Sequence, residues 1–374
     1  MADLEVIPLA KPVLGAMEER LVSEVLSSGQ LSLGPRLAEF ERLFAEFVGS
    51  PLACAVSSGT AGLHLALRAV GMADGDEVIT SPFSFVASAN VALYERARPV
   101  FADIDPLTLN LDAAAAKAAV TERTRALLPV HIFGYPADMP AFEAIARRHG
   151  LGIVEDACEA LGGVHEDGVA VGARGNPAVF GFYANKQLTT GEGGMVVLGD
   201  PDVKTRIDSE RNQGRAPDMG WLDHDRLGFN YRLSDIACAL GIAQLARLPE
   251  MLRLRALAAS YYREALAEIE GLELPCEDRG GARRGWFVFV VQLPREVDRD
   301  ETMRKLAQLG IQSKPYLPAI HLMSFYRERF GHREGEFPVC EDVAARSLAL
   351  PFYPGLGQNE VARVAQALRT ALGR

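Results

Sequence analysis

Between residues 52 and 200 the chain alternates short apolar runs with longer stretches of helical periodicity. Apolar runs fall at 52–56, 77–80, 99–102, 126–130 and 152–154. Stretches 60–70, 86–94, 112–120 and 139–149 follow the first four, and a glycine-rich loop follows the last. Short runs that stay apolar throughout read as strands buried on both faces. The βαβα order therefore predicts an α/β fold, a mostly parallel sheet between helices. Ligands on such sheets sit beyond the C-terminal ends of the strands. That singles out 57–60, 82–85, His131, 155–156 and Lys186.

After residue 233 the pattern changes. It predicts two long helices, 234–248 and 249–269, separated at Pro249, with Leu233, Ile236, Leu240 and Ala243 on one face. A loop at Gly280-Gly281, a β-run over 286–293, a short helix over 300–309 and a last helix over 359–372 follow. The expected division is a large α/β domain, 1–249, and a smaller α+β domain, 250–374.

Composition narrows the class. The 374 residues are 48% hydrophobic and 24% charged, as in an ordinary soluble globular protein. The formal net charge of -10 argues against nucleic acid or an anionic membrane held by bulk charge. It leaves open a phosphorylated ligand held locally at a helix N-terminus. The cysteines, Cys54, Cys158, Cys238, Cys276 and Cys340, are odd in number and contain no C-x-x-C pair, which predicts buried free thiols in a reducing compartment. No run of about 18 apolar residues predicts a membrane span. The first ten residues carry Asp3 and Glu5 and lack the basic and apolar parts of a signal peptide. A cytoplasmic protein is the expectation.

The candidate chemistry centres on residues 181–194, GFYANKQLTTGEGG. Lys186 lies between an apolar run, 179–183, and a glycine-dense turn followed by a second run, 195–198. A lysine desolvated there is a usable amine nucleophile, suited to a Schiff base with a carbonyl compound such as pyridoxal phosphate. Taken alone, the lysine reads as a surface lysine beside a hairpin, since most lysines are solvated. Ser57-Ser58-Gly59-Thr60-Ala61-Gly62 enters a helix and fits a phosphate cradle or a plain N-cap. Asp156, just past a strand, fits a pyridinium partner or a structural ion pair. Phe85 fits a ring stack or core packing. His131 fits a ligand contact or a satisfied structural histidine. No Walker A and no G-x-G-x-x-G pattern is present, which excludes nucleotide loops of those kinds.

Together, in this order, these segments resemble the DegT/StrS family of pyridoxal-phosphate nucleotide-sugar aminotransferases, of the aspartate-aminotransferase type (fold type I). The resemblance spans nearly the whole chain. It includes AVSSGTAGLHLAL at 55–67, GDEVI at 75–79, FADID at 101–105 and PVHIFGYPAD at 129–138. It continues in EDACEALG at 155–162, the turn TTGEGG after Lys186, and GFNYR at 228–232. The resemblance implies that Lys186 forms the Schiff base and moves the proton. It implies Asp156 on the pyridinium nitrogen, Phe85 on the ring, and Ser58, Gly59 and Thr60 on the phosphate. Asn230 would reach the cofactor of a second subunit, so a homodimer with shared sites is expected. Arg232 would bind the carboxylate of the amino donor, or make a surface ion pair.

Two positions depart from the family pattern. Glu159 stands where the family usually has glutamine against the cofactor's phenolic oxygen. Gly181 stands where it often has a serine that donates to phosphate. The implied reaction is amino transfer, from L-glutamate, to a keto group of a nucleotide-linked sugar. A related dehydratase is disfavoured, because such relatives carry histidine at the position of Lys186. A non-enzymatic regulator is disfavoured by the negative charge and the absence of an appended DNA-binding module. Substrate choice is expected in the loops 214–225, 277–284 and 316–325, with Tyr316 and His321 as candidate contacts. A purely structural role fits His321 equally. No metal is expected.

Overall fold

The computed structural model describes residues 5–216 and 223–374. Within the loop 214–225, residues 217–222 lie outside the described residues. Among its described residues the large unit contains eight strands: β1 (Leu52–Val56), β2 (Glu77–Thr80), β3 (Arg98–Phe101), β4 (Thr124–Leu128), β5 (Gly152–Ile153), β6 (Glu155–Asp156), β7 (Ala178–Gly181) and β8 (Gly194–Leu198). One sheet has the order β3-β2-β4-β5 and is parallel throughout. The other has the order β1-β8-β7-β6. Its β6–β7 pair is parallel, and β8 is antiparallel to both β7 and β1. The sheets join at 152–156, where Val154 N–H donates to the Leu127 carbonyl and Val130 bridges Asp156. The expected mostly parallel sheet is present. Its one reversed strand is β8, reached from β7 through residues 182–193 and the turn after Lys186.

The helices of this unit are α1 (Ala16–Ser28), α2 (Pro35–Val48), α3 (Gly59–Ala69), α4 (Ala87–Tyr94), α5 (Ala113–Ala118), α6 (Met139–His149) and α7 (Pro201–Arg211). Their starts are written in the sequence. Ser58, Asp112, Asp138 and Asp200 each accept a backbone N–H from the first turn of the helix they precede. One apolar cluster packs α3 and α4 on the sheet, through Leu63, Leu67, Val91, Val179 and Val196. A second packs α1 and α2 on the opposite face, through Leu21, Val25, Phe40, Phe44, Phe180 and Phe182.

The region after 233 departs from expectation. A single helix, α8 (Asp235–Leu266), replaces the expected pair and runs through Pro249. A proline inside a helix removes one hydrogen bond and costs about 3 kcal/mol. Pro249 is exposed, and both halves of α8 are buried on either side of it. Cys238, Ile242, Leu245, Leu248 and Met251 enter one core, and Ala258, Ala259, Tyr262 and Leu266 enter another. Burial along both halves outweighs the interruption. Of the expected face, Leu233 and Ala243 are buried, while Ile236 and Leu240 are only half-buried.

The expected domain boundary at 249/250 thus falls inside α8. Beyond it lie a three-stranded antiparallel sheet of β9 (Phe289–Gln292), β10 (Lys314–Pro315) and β11 (Ser347–Leu350), in the order β10-β11-β9. With it are α9 (Arg299–Gln308), α10 (Ser324–Phe330), α11 (Pro338–Arg346) and α12 (Gln358–Leu372). No described helix is long and apolar enough to cross a membrane. All five cysteines are free; Cys54, Cys238 and Cys340 are buried, and Cys158 and Cys276 are half-buried.

Candidate active site

Beyond the C-terminal ends of β6 and β7, a cavity of about 480 Å³ gathers Ser58, Gly59, Thr60, Phe85, Asp156, Glu159, Gly181, Lys186 and Tyr316. Chain segments far apart in sequence supply them, because parallel connections return every strand to the same edge. At one side stands the N-terminus of α3. The Ser58 hydroxyl accepts Ala61 N–H at 3.0 Å, so the serine caps the helix, while Gly59 and Thr60 head its first turn. Both readings of this segment therefore coexist. The backbone here is packed too closely for side chains. A Cβ on Gly194 would lie 2.8 Å from the Gly59 nitrogen, and one on Gly59 would lie 2.8 Å from Cys158 Sγ. Bare amides and a helix N-terminus facing a cavity form an anion cradle.

Lys186 is held by the turn that follows it. Gly191 takes φ +80, and the hydroxyls of Thr189 and Thr190 donate to the carbonyls of Phe182 and Glu192 at 3.2 and 2.6 Å. A Cβ on Gly193 would meet Thr190 Oγ1 at 2.2 Å, so this turn requires its glycine. Lys186 Nζ lies 3.5 Å from Glu159 Oε1 and 4.0 Å from the centre of the Phe287 ring. The other Glu159 oxygen accepts Phe133 N–H at 3.0 Å. Phe133 presents that N–H from a left-handed conformation, φ 51, unusual for a bulky residue. Burial pushes the Glu159 carboxyl above its usual range, opposed by Lys186 and by the Phe133 amide. The same burial raises the Tyr316 hydroxyl and the Cys158 thiol well above theirs.

Asp156 is 5% exposed, and among the described residues its carboxylate has no cationic partner. It accepts the Ser88 hydroxyl at 2.7 Å and Cys158 N–H at 3.1 Å. A buried carboxylate without a cation is costly in the protein alone and suited to a ligand bearing positive charge. Phe85 is 62% exposed at the cavity, so its ring is not core; its neighbour Phe83 is fully buried and takes that role. An anion cradle, a buried carboxylate, an uncovered aromatic ring and an amine in one cavity fit the phosphate, the pyridinium nitrogen, the ring and the aldehyde of pyridoxal phosphate.

Several singled-out residues lie elsewhere. His131 is buried outside the cavity lining. Ala137 N–H donates to its Nδ1 at 2.9 Å, which places the proton on Nε2, 3.1 Å from Glu155 Oε2. His131, Glu155 and His165 bring ligand-type atoms within 4.8 Å of one another. A metal-bound histidine normally donates its second N–H to an acceptor. His131 has the reverse polarity, so its Nε2 offers a proton rather than a lone pair, and the trio does not suit a metal. His321 is fully buried, 3.0 Å from Glu341 through Nε2 and packed on Phe337, and does not line the cavity. Arg232 donates to Asn212 Oδ1 at 3.0 Å, and Asn230 is exposed; neither lines the cavity of its own chain. Their segment is tied to its neighbours by isolated bridges, Val56 to Arg232 and Asn212 to Asn230. Phe229 and Tyr231 donate to the carbonyls of Glu210 and Arg211, and Ser57 N–H donates to the Tyr231 carbonyl at 2.8 Å.

The fold also brings in residues the sequence does not single out. Ser88 holds Asp156; its i, i+4 spacing from Ser84, 2.7 Å away, is the one signal that pointed there. Gln187 donates to the carbonyls of Glu159 and Gly285 at 2.6 and 3.0 Å. Phe287 and Arg255 approach Lys186 from the C-terminal region, with no local signal in sequence.

Comparison with known proteins places this geometry. Residues 12–369 match the model of the DegT/DnrJ/EryC1/StrS aminotransferase family. The spore coat polysaccharide biosynthesis protein SpsC of Bacillus subtilis is 38% identical over 376 residues, covering 97% of this chain and 96% of the relative. The GDP-perosamine synthase of Caulobacter vibrioides is 36% identical over 375 residues, covering 100% of both. The crystal structure of S. venezuelae DesV, in complex with a ketimine intermediate, superposes with a TM-score of 0.90 at 36% identity, covering 96% of this chain and 94% of that one. With Lys186, Asp156 and the cradle of α3 in one cavity, the chain belongs to the DegT/DnrJ/EryC1/StrS family of pyridoxal-phosphate-dependent sugar aminotransferases.

Proposed function

We propose that this enzyme transfers the amino group of an amino acid, L-glutamate, to the keto group of a nucleotide-linked sugar. The observation that carries the reading is the pairing of Lys186 Nζ with a buried acid, Glu159, 3.5 Å away, in the cavity that also holds Asp156. The end-to-end likeness to a GDP-perosamine synthase supports a nucleotide-linked substrate. When bound, pyridoxal phosphate supplies the electron sink for cleavage of the C–H bond next to nitrogen. Lys186 would anchor the cofactor, and its amine Nζ would be the group that holds and moves the proton at the reacting carbon. Asp156, oriented by the Ser88 hydroxyl and the Cys158 amide, would pair with the ring nitrogen of the bound cofactor. Gly59 and Thr60 would hold the phosphate and Phe85 would stack on the ring.

The active unit is a homodimer with shared sites. Phe85, Tyr183 and Leu227 are 62%, 54% and 70% exposed, an apolar set that a second copy would cover. Asn230 is exposed outside its own cavity, as a residue contributed to a partner's site would be. The substrate reading is tested by incubating the cofactor-loaded protein with glutamate and a panel of nucleotide keto-sugars. Loss of the visible absorbance on glutamate alone, and 2-oxoglutarate equal to amino-sugar formed, are expected. An unchanged spectrum with every amino acid would refute it. The shared site is tested by mixing Lys186→Ala with Asn230→Ala chains. Activity should reappear on subunit exchange, and its absence despite proven exchange would refute the composite site.

A further inference from the structure

Arg255 is 3% exposed, yet among the described residues no carboxylate pairs with it. Its Nη1 donates to the Phe287 carbonyl at 2.9 Å and its Nη2 to the Lys186 carbonyl at 3.3 Å; its Nε has no partner. The guanidinium also lies 5.7 Å from the centre of the Phe352 ring. Burial alone lowers its pKa, to about 10. Burying a guanidinium without an acid is strongly unfavourable, and an apolar side chain of similar length would pack there at less cost.

What an apolar chain lacks is the fork. The planar guanidinium joins two carbonyls, one on the peptide of Lys186 itself and one on Phe287. The Phe287 ring in turn lies 4.0 Å from Lys186 Nζ. The root of the lysine and the surface beneath its tip are thus tied to one rigid group. That group belongs to the half of α8 that packs with the C-terminal region, through Ala258, Ala259 and Tyr262. We propose that Arg255 is a positioning residue for Lys186: it sets the placement of the amine over the cavity through the two carbonyls it clamps. This rests on the reading that Lys186 carries the cofactor and the proton.

The test begins with the unsubstituted, cofactor-loaded protein. Borohydride reduction followed by peptide mapping should label Lys186, and a label elsewhere overturns the underlying reading and this proposal with it. Arg255→Met and Arg255→Lys are then compared, with all rates taken per bound cofactor. Misplacement by about 1 Å costs on the order of 100-fold in rate, so kcat of Arg255→Met should fall by about that factor, with the donor KM little changed. The visible circular dichroism per bound cofactor, which reports its fixed geometry, should shrink. Arg255→Lys, able to reach one carbonyl, should recover part of both. If Arg255→Met loses only stability or occupancy while its bound fraction keeps native kcat and dichroism, Arg255 is structural and the proposal falls. Should Arg255→Met not fold, Arg255→Lys and Arg255→Gln decide by the same split, and native values in both overturn it.

Discussion

Two ionic clusters among the described residues differ in whether their charges are closed. Beside β1, Arg211 donates to Glu41 and to the Ala55 carbonyl, and pairs with Asp208; Lys204 pairs with Asp208 at 2.7 Å and with Glu41 at 3.7 Å. Ala55 N–H donates to Glu41 as well, at 2.8 Å. Burial alone would lower the Arg211 pKa, yet Glu41 and Asp208 carry it above its ordinary value. At the ends of β6 and β7 the opposite holds. Among the described residues Asp156 has no cation and Arg255 no acid, and Lys186 sits 3.5 Å from a carboxyl that burial pushes toward its neutral form. Asn185 Oδ1, in the same cavity, is buried and has no hydrogen-bond partner among the described residues. A closed network binds helices to a sheet, and an open one retains charge for a ligand to complete.

The largest effect expected is at the open cluster. Lys186→Ala should leave a folded protein with no borohydride-reducible bond to the cofactor, and multiple turnover lower by about 10³–10⁴-fold or more. Near-native turnover in that variant would end the distinction between the clusters. Next, Arg211→Ala opens the closed network. Breaking a buried pair costs about 3–5 kcal/mol, so urea unfolding should register that loss while kcat per bound cofactor stays within about twofold. A variant that kept its stability and lost its rate would reverse the roles assigned here.

Asp156→Asn should retain cofactor through the cradle and Phe85 but slow the half-reaction with glutamate by about 10²-fold, the scale of losing one electrostatic contact to developing charge. Unchanged single-turnover rates would make Asp156 structural. The smallest effect concerns Glu159→Gln in the cofactor-free protein. The folded pKa of Glu159 is raised, so below its ordinary value of 4.5 both folded and unfolded forms are protonated and no penalty arises. As pH rises from there through the folded pKa, the folded state holds a proton the unfolded state has released, and stability falls. Glu159→Gln removes that penalty. The melting temperature of the variant relative to the parent should therefore climb over this window and level off above it. A flat or falling difference would show that Lys186, not burial, controls Glu159.

The open cluster was only partly legible in sequence. Lys186, Asp156, Gly59 and Phe85 stand at or beyond strand ends in motifs of local spacing, and the fold brings all four to one cavity. Ser88, Phe287 and Arg255 had no comparable signal, because what they do is define distances to groups far along the chain. His321 shows the reverse: a loop histidine open to a substrate role in sequence is enclosed by Glu341 and Phe337.

The sequence by itself determined the alternation of strand and helix, the caps at Ser58, Asp112, Asp138 and Asp200, and the turn built on Thr190 and Gly193. Each of these is set by residues within a few positions of one another, where propensity, capping and steric limits act. Only the tertiary structure decided that α8 passes through Pro249, that His131 donates to Glu155 rather than binding a ligand, and that Arg255 holds Lys186. Those outcomes depend on burial against distant segments and on which partner reaches a buried polar group first, and neither quantity is carried by local pattern.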